Sequence, residues 1–445
     1  MRSPHNGLQA SVPASARPGT PSRLAGRLAL LLVAATISAC GEGAIPTNPP
    51  LAAPGAINAT STRDERVSAP ATLAWQATAR NLVTAHPATV SPIVAVRVYA
   101  LLGIAQYGAA VASDEALGIT SNQEDIGADD GGLAQVESRR GAIGEASRVV
   151  LTALFPDAAA ALRAQLDLES VDPNGRTHPQ FIRGVDIGRA MGVVMNTWAA
   201  NDGFSTAWNG NPWLSGTLGQ WYQASPTAAP AGFQFPAMRT YFMTSPAQFR
   251  PAPPPAFGST EFLASLQTVR DIANGPRTAD QVRIANFWNL PQGTPTALGY
   301  WGEQAAAYIS ERALGDRSAS HIFALINAAA MDATIGCWEA KYTYVLLRPS
   351  QNVPTNTTVF PTPNHPSYPS GHSCVSAAAA TVLATYFPDK TAELNAGVAE
   401  AGLSRVYAGI HYPFDIIAGQ ALGRSAAALA MSYDRTRGLL SAVGR

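Results

Sequence analysis

Lys341 and Arg348 stand seven residues apart, directly before Pro349. On a single helix that spacing is about two turns, so both cations face the same way. Trp338, three residues before Lys341, shares that face. Two long cations on one face are costly in a chain with only 13% charged residues, unless they meet an anion. Further on, residues 361–369 carry four prolines in nine positions, which holds the segment extended. It delivers Ser370-Gly371-His372 to the start of an alanine-rich stretch read as a helix. Free backbone N–H groups and the positive end of the dipole make such a start an anion site. Gly371 lets the backbone approach closely, and Ser370 adds a hydroxyl donor. A third piece is Ser404-Arg405 followed by His411 and Asp415. If the helix continues through Pro413, His411 and Asp415 form an i,i+4 pair. Asp415 then accepts from one ring nitrogen of His411, fixes its tautomer, and leaves the other nitrogen as nucleophile or ligand.

Each piece alone has an ordinary explanation. A single histidine is more often a satisfied core or surface residue, and a Lys–Arg pair is more often a solvated face. Together they supply three cations, a helix N-terminus, a hydroxyl and two histidines. That set fits a tetrahedral oxyanion, with His372 as acid–base group and His411 in line.

The elements that must position these residues read as helices. Strand signals are scarce and helical periodicity recurs, so the expected class is all-α. The expected helices are 71–85, 92–112, 140–154, 158–168, 179–201, 259–273, 279–289, 296–314, 318–348, 373–387, 390–406 and 413–433. Pro413 suits a first helical turn, where its missing N–H is harmless. The longest connection is about 203–258, rich in proline and glycine. A loop of that length is often functional, and it is read either as a wrap over the mouth of a site or as a passive surface strap. Asp125, Asp129 and Asp130 cluster among glycines, but their spacing does not match a calcium loop.

The chain has 445 residues, with 30 basic against 30 acidic side chains. A net charge of zero argues against nucleic acid as a partner, which calls for a basic stripe. At 47% hydrophobic residues the chain has material for a large core. Arg23 and Arg27 precede the apolar run 28–37, which ends in Ser38-Ala39-Cys40. This reads as a signal peptide over 1–40, too short to span a bilayer. Its ending resembles a bacterial lipobox, which implies lipidation of Cys40. Residues 41–69 read as a flexible tether. The expectation is an extracytoplasmic, membrane-anchored lipoprotein with helical regions at 70–315 and 316–445. The nearest later approach to a membrane-spanning run is 414–431, broken by Asp415 and Arg424.

The pattern Lys341-x6-Arg348-Pro349, Pro369-Ser370-Gly371-His372 and Ser404-Arg405-x5-His411-x3-Asp415 resembles the superfamily of type-2 phosphatidic acid phosphatases, bacterial acid phosphatases and vanadium-dependent haloperoxidases. The resemblance implies a helical bundle of that type, with the upstream helices packed on it. It also implies two alternatives, because phosphate and vanadate are near-isosteric. As a phosphatase, His411 attacks phosphorus in a phosphate ester, His372 protonates the leaving group and Asp415 orients His411. As a haloperoxidase, His411 is the axial ligand of vanadate, and Lys341, Arg348, Arg405, Ser370 and the Gly371 N–H hold its oxygens. His372 then works as acid–base group, Lys341 polarises the reacting centre, and the substrates are hydrogen peroxide and a halide.

Trp338 resembles a tryptophan common in vanadium haloperoxidases, and His365 matches the bromoperoxidase form, so both are expected at the halide wall. These features, and the long upstream region, favour the peroxidase branch with bromide. The resemblance also implies a homo-oligomer. Cys337 and Cys374 flank two of the motifs and are read as buried free thiols, with a disulfide as the alternative.

Overall fold

The computed structural model describes residues 70–119, 132–172 and 174–443. The signal segment, Cys40, the tether and the acidic cluster at Asp125, Asp129 and Asp130 lie outside them. Among the described residues there are helices and two isolated bridges, and no strand. The helices are α1 (Ala71–Ala85), α2 (Pro92–Ala116), α3 (Leu133–Leu154), α4 (Ala159–Ser170), α5 (Pro179–Ala200), α6 (Thr260–Asn274), α7 (Ala279–Phe287), α8 (Thr296–Glu311), α9 (Asp316–Tyr344), α10 (Pro349–Asn352), α11 (Gly371–Tyr386), α12 (Thr391–Tyr407) and α13 (Pro413–Arg437). The all-α reading holds, and the starts follow sequence chemistry. Ser91, Ser259 and Thr278 each cap a helix with a side-chain oxygen, and Pro92, Pro179 and Pro413 occupy first turns.

The axis of the fold is α9, whose residues from Ser318 to Lys341 are all buried. It packs against α2, α11 and α13. α2 is long and apolar enough to cross a membrane, more so than 414–431, which the sequence suggested as the nearest. Its most apolar window is 94% buried against neighbouring helices, so here that surface forms core. The N-cap of α9 is Gly315. The carboxylate of Asp316 accepts from the N–H groups of Ala71 and Thr72, tying the start of α1 to α9.

Close backbone approach brings α13 onto α11. A Cβ at Gly423 would lie 2.3 Å from the Cys374 carbonyl oxygen, and one at Gly419 2.6 Å from that of Ser370. Only hydrogen fits at either place, so these two glycines set how near Asp415 comes to Ser370.

Segment 203–258 is irregular but tied down. The carboxylate of Asp332, buried in α9, accepts from Tyr241, Phe242 and Met243 N–H at 2.7, 2.8 and 2.9 Å. Arg250 pairs with Glu339, and Gln220 bridges to Leu346. The Ala231 carbonyl accepts from Trp338 Nε1 at 2.9 Å and Tyr342 Oη at 2.8 Å.

Candidate active site

Two expectations about local structure fail, with consequences for the site. Lys341 and Arg348 do not share a helix. α9 ends at Tyr344, because Val345 takes a left-handed conformation and its N–H bonds back to the Lys341 carbonyl. Arg348 is the N-cap of the short α10, after an extended turn in which Leu347 N–H donates to the Gly219 carbonyl. His411 and Asp415 are likewise not on one helix. α12 stops at Tyr407, His411 lies in the connecting turn, and Asp415 sits in the first turn of α13. They meet nonetheless, with His411 Nδ1 2.7 Å from Asp415 Oδ2.

A cavity of about 490 Å³ opens between α2, α8, α9, α11 and the 360–365 segment. Its wall includes Trp338, His365, Gly371, His372, Arg405 and His411. Six of the residues singled out from sequence therefore converge on one space, although they span more than seventy positions.

His411 has a determined tautomer. Arg348 Nη1 lies 2.9 Å from its Nε2, and a guanidinium only donates. Nε2 is therefore the acceptor, and Nδ1 carries the proton given to Asp415. Asp415 Oδ2 also accepts from Ser367 Oγ at 2.6 Å and from Tyr412 N–H at 3.1 Å. Burial pushes the Asp415 carboxyl up to about 6, against the pull of Ser367 and Lys341. His411 is held well below the usual imidazole range by burial, then by Arg348 and Lys341. His372 is lowered likewise by burial and Arg405. One of its ring nitrogens bonds to the Trp288 backbone, and its Nε2 is buried without a partner. That leaves a neutral imidazole with a free nitrogen on the cavity wall.

The three cations differ in availability. Lys341 is buried, and its ammonium donates to the carbonyls of Pro366 (2.9 Å), Ser367 (2.8 Å) and Pro369. All three N–H bonds are thereby used, so the structure does not direct Lys341 at the cavity. It pins the proline-rich segment that leads into α11, and burial lowers it to about 8. Arg348 donates to the His365 and Ile410 carbonyls and bridges His365 Nδ1 and His411 Nε2. Arg405 lies on the wall itself, with Nε on Ser404 Oγ, Nη2 on the Ala285 carbonyl and its guanidinium over the Phe360 ring at 5.1 Å. Burial lowers Arg348 to about 10 and Arg405 to about 9. Lys341 and Arg348 act on the carboxylate of Asp415, and Arg405 adds a third buried cation, so the site carries positive charge and favours an anion.

Ser370 caps α11 by accepting weakly from Ser373 N–H at 3.5 Å, and its own N–H donates to the Asp415 carbonyl. Its side chain is not on the cavity wall. Gly371 is, and there the small residue has a second reason. A Cβ would lie 2.9 Å from Trp338 Cη2, so the benzo edge of the indole lies against the helix start. Trp338 and His365 pack with centroids 5.1 Å apart. Cys337 and Cys374 are both free and buried, which agrees with the thiol reading.

Sequence reasoning missed Ser367, although it lies inside the motif segment and its hydroxyl holds Asp415. It also missed the apolar wall of Ile93, Val96, Ala297 and Leu298, for which no local signal exists.

The arrangement matches an oxyanion site on the chemistry of its donors. It has a partnerless buried His372 Nε2, an acceptor nitrogen on His411, the guanidinium of Arg405 and the N–H groups of a helix start. The PAP2 superfamily model matches residues 319–439. An undecaprenyl-diphosphatase of Sulfolobus acidocaldarius is 37% identical over 100 residues, 22% of this chain and 48% of that protein. The chain thus spans about half the length of that curated relative. Among solved structures, a bacterial vanadium-dependent iodoperoxidase superposes with a TM-score of 0.66 at 23% identity, over 81% of this chain and 95% of that one. The holo form of a bacterial vanadium-dependent chloroperoxidase gives 0.61 at 15% identity, over 80% and 94%. At these identities the likeness is one of fold.

Proposed function

We propose that this chain, whose residues 319–439 match the PAP2 superfamily model, is a vanadate-dependent haloperoxidase-like enzyme. It oxidises halide, bromide in preference, with hydrogen peroxide. The observation that carries the reading is the pairing of two unlike histidines on one cavity. His411 is locked by Asp415 with Nε2 as its acceptor end, and His372 has a neutral, free Nε2. When bound, vanadate supplies a Lewis-acid centre that makes peroxide electrophilic. His411 Nε2, once released by Arg348, would be its ligand, and Arg405, the freed Arg348 Nη1 and the α11 N–H groups would hold its oxygens. His372 Nε2 is placed to take a proton from incoming peroxide and return it to the departing oxygen. Asp415 keeps the His411 proton on Nδ1, and Ser367 keeps Asp415 in place. Trp338 and His365 wall the halide side.

A fold match that includes the long upstream region supports this branch. The diphosphatase relative supports a second reading, phosphatase chemistry on a phosphate ester or anhydride, in which His411 Nε2 attacks phosphorus and His372 protonates the leaving oxygen. The test is a paired assay on protein stripped of anions. Vanadate-dependent bromination of a dye, inhibited by phosphate, supports the peroxidase. Hydrolysis of a chromogenic phosphate ester, blocked by vanadate and without bromination, replaces it with the phosphatase. We further propose attachment outside the cytoplasm through lipidated Cys40. A Cys40→Ala variant should move from the membrane to the soluble fraction, and retention on the membrane would refute the anchor.

A further inference from the structure

The histidines and Arg405 take up only one end of the cavity. Its volume of about 490 Å³ is in the range of about 300–1,000 Å³ typical of sites that enclose an organic ligand. Peroxide and a halide ion need a small part of that space. Much of the rest of the wall is apolar, from Ile93 and Val96 of α2, Ala297 and Leu298 of α8, Val375 of α11, and Phe360. Among the described residues, Arg405 is the only one on the wall with a fixed charge, and no carboxylate lines the space. The amides of Asn289 and Gln292 are neutral polar groups on the same wall.

These amides sit on a connection held in a costly conformation. Leu290 and Thr296 have φ of 42° and 69°, in the left-handed region that a β-branched threonine rarely adopts. The Thr296 hydroxyl is buried without a partner. Such strain persists where the surroundings over-determine it, and it concentrates at functional sites. The same connection puts Asn289, Pro291 and Gln292 on the cavity wall.

We propose that this cavity binds the organic acceptor itself, an uncharged apolar molecule of aromatic-ring size bearing a hydroxyl, and that halogen transfer takes place inside the protein. The chemistry of the step rests on the haloperoxidase reading; the binding does not. The acceptor C–H, bromide, hydrogen peroxide and one proton give C–Br and two waters. Bromide gives two electrons to the O–O bond, which breaks and takes up two protons to form the waters. The C–Br bond forms as the C–H bond breaks, and the proton released from carbon passes to His372 Nε2. The apolar wall recognises the ring, and Asn289 and Gln292 recognise the hydroxyl.

The probe is 2-naphthol, titrated calorimetrically into the anion-free full-length protein. Ala297→Trp and Ile93→Trp fill the apolar end from two different helices. Saturable binding is expected in the wild type, weakened at least tenfold in both variants, with orthovanadate affinity within twofold of wild type. In turnover with vanadate, peroxide and bromide, the wild type should favour 2-naphthol over a bulky dye more strongly than free hypobromous acid does, and both variants should lose that preference. Binding without any bromination would overturn the haloperoxidase reading and uphold the assignment of the cavity. Bromination with no binding of 2-naphthol, and with the selectivity of free hypobromous acid, would overturn the assignment and leave the reading intact. The wild-type titration decides alone if neither variant folds.

Discussion

Replacing Asp415 by Asn should leave the fold at least as stable and the enzyme far slower. Burial lifts the Asp415 carboxyl from 3.8 to about 6, with its hydrogen bonds already counted. Keeping it ionised in the folded state above pH 6 therefore costs about 3 kcal/mol, at about 1.36 kcal/mol per pH unit. The sign follows from a folded value raised above the unfolded one. The penalty is full above about pH 6 and fades as pH falls towards 3.8, so the anion-free wild type gains stability over that window from this group. Asparagine removes the charge. It also puts an amide N–H where Asp415 Oδ1 now sits without a partner, which costs about 1–3 kcal/mol. The net change at pH 7.5 is a gain of about 0 to 2 kcal/mol, and the pH dependence from this group disappears. Turnover should move the other way. A neutral amide oxygen is a weaker acceptor for His411 Nδ1–H, and the flipped amide would force the wrong tautomer on Nε2. The loss should be at least tenfold. The assay is urea unfolding of wild type and D415N at pH 7.5 and pH 5, with kcat measured on the same preparations. A loss of more than about 2 kcal/mol at pH 7.5, or an unchanged kcat, would refute the assignment of Asp415 as a buried charge kept for His411.

His372→Ala should retain orthovanadate binding by calorimetry and cut turnover by about 10²–10⁴-fold, as expected for a lost acid–base group; abolished binding with normal turnover per bound vanadium would make His372 structural. Arg405→Ala should weaken orthovanadate by about 10- to 100-fold, matching about 1.5–3 kcal/mol for a charge-assisted hydrogen bond, and an unchanged dissociation constant would remove it from the site. Asp332→Ala strands three buried N–H groups of segment 203–258 and should cost about 3 kcal/mol or more in urea unfolding, where a change below 1 kcal/mol would mean that the segment is held by other contacts.

The sequence carried the helical class because periodicity and caps are local. Pro413 marks a start that the structure keeps, and the caps Ser91, Ser259 and Thr278 lie within a residue of the expected starts. It misplaced the end of α9 because Val345 in a left-handed conformation has no compositional sign; glycine would have announced it. For the same reason Lys341 and Arg348 looked like neighbours on one face. Their separation comes from the extended turn after Tyr344, which pairs with Gly219 and Gln220 from far upstream.

The sequence by itself determined which groups could meet an oxyanion, since residue types and motif spacing carry pKa range, charge and hydrogen-bonding capacity. Tertiary structure alone decided what each group does. It turned the Lys341 ammonium onto three carbonyls, put Arg348 between His365 and His411, left His372 Nε2 free, and joined α2 and α8 to α11 around one cavity. Those outcomes depend on long-range packing, on Gly419 and Gly423 admitting α11 and on Asp332 anchoring a distant segment. Contacts between residues far apart in the chain leave no periodic trace along it.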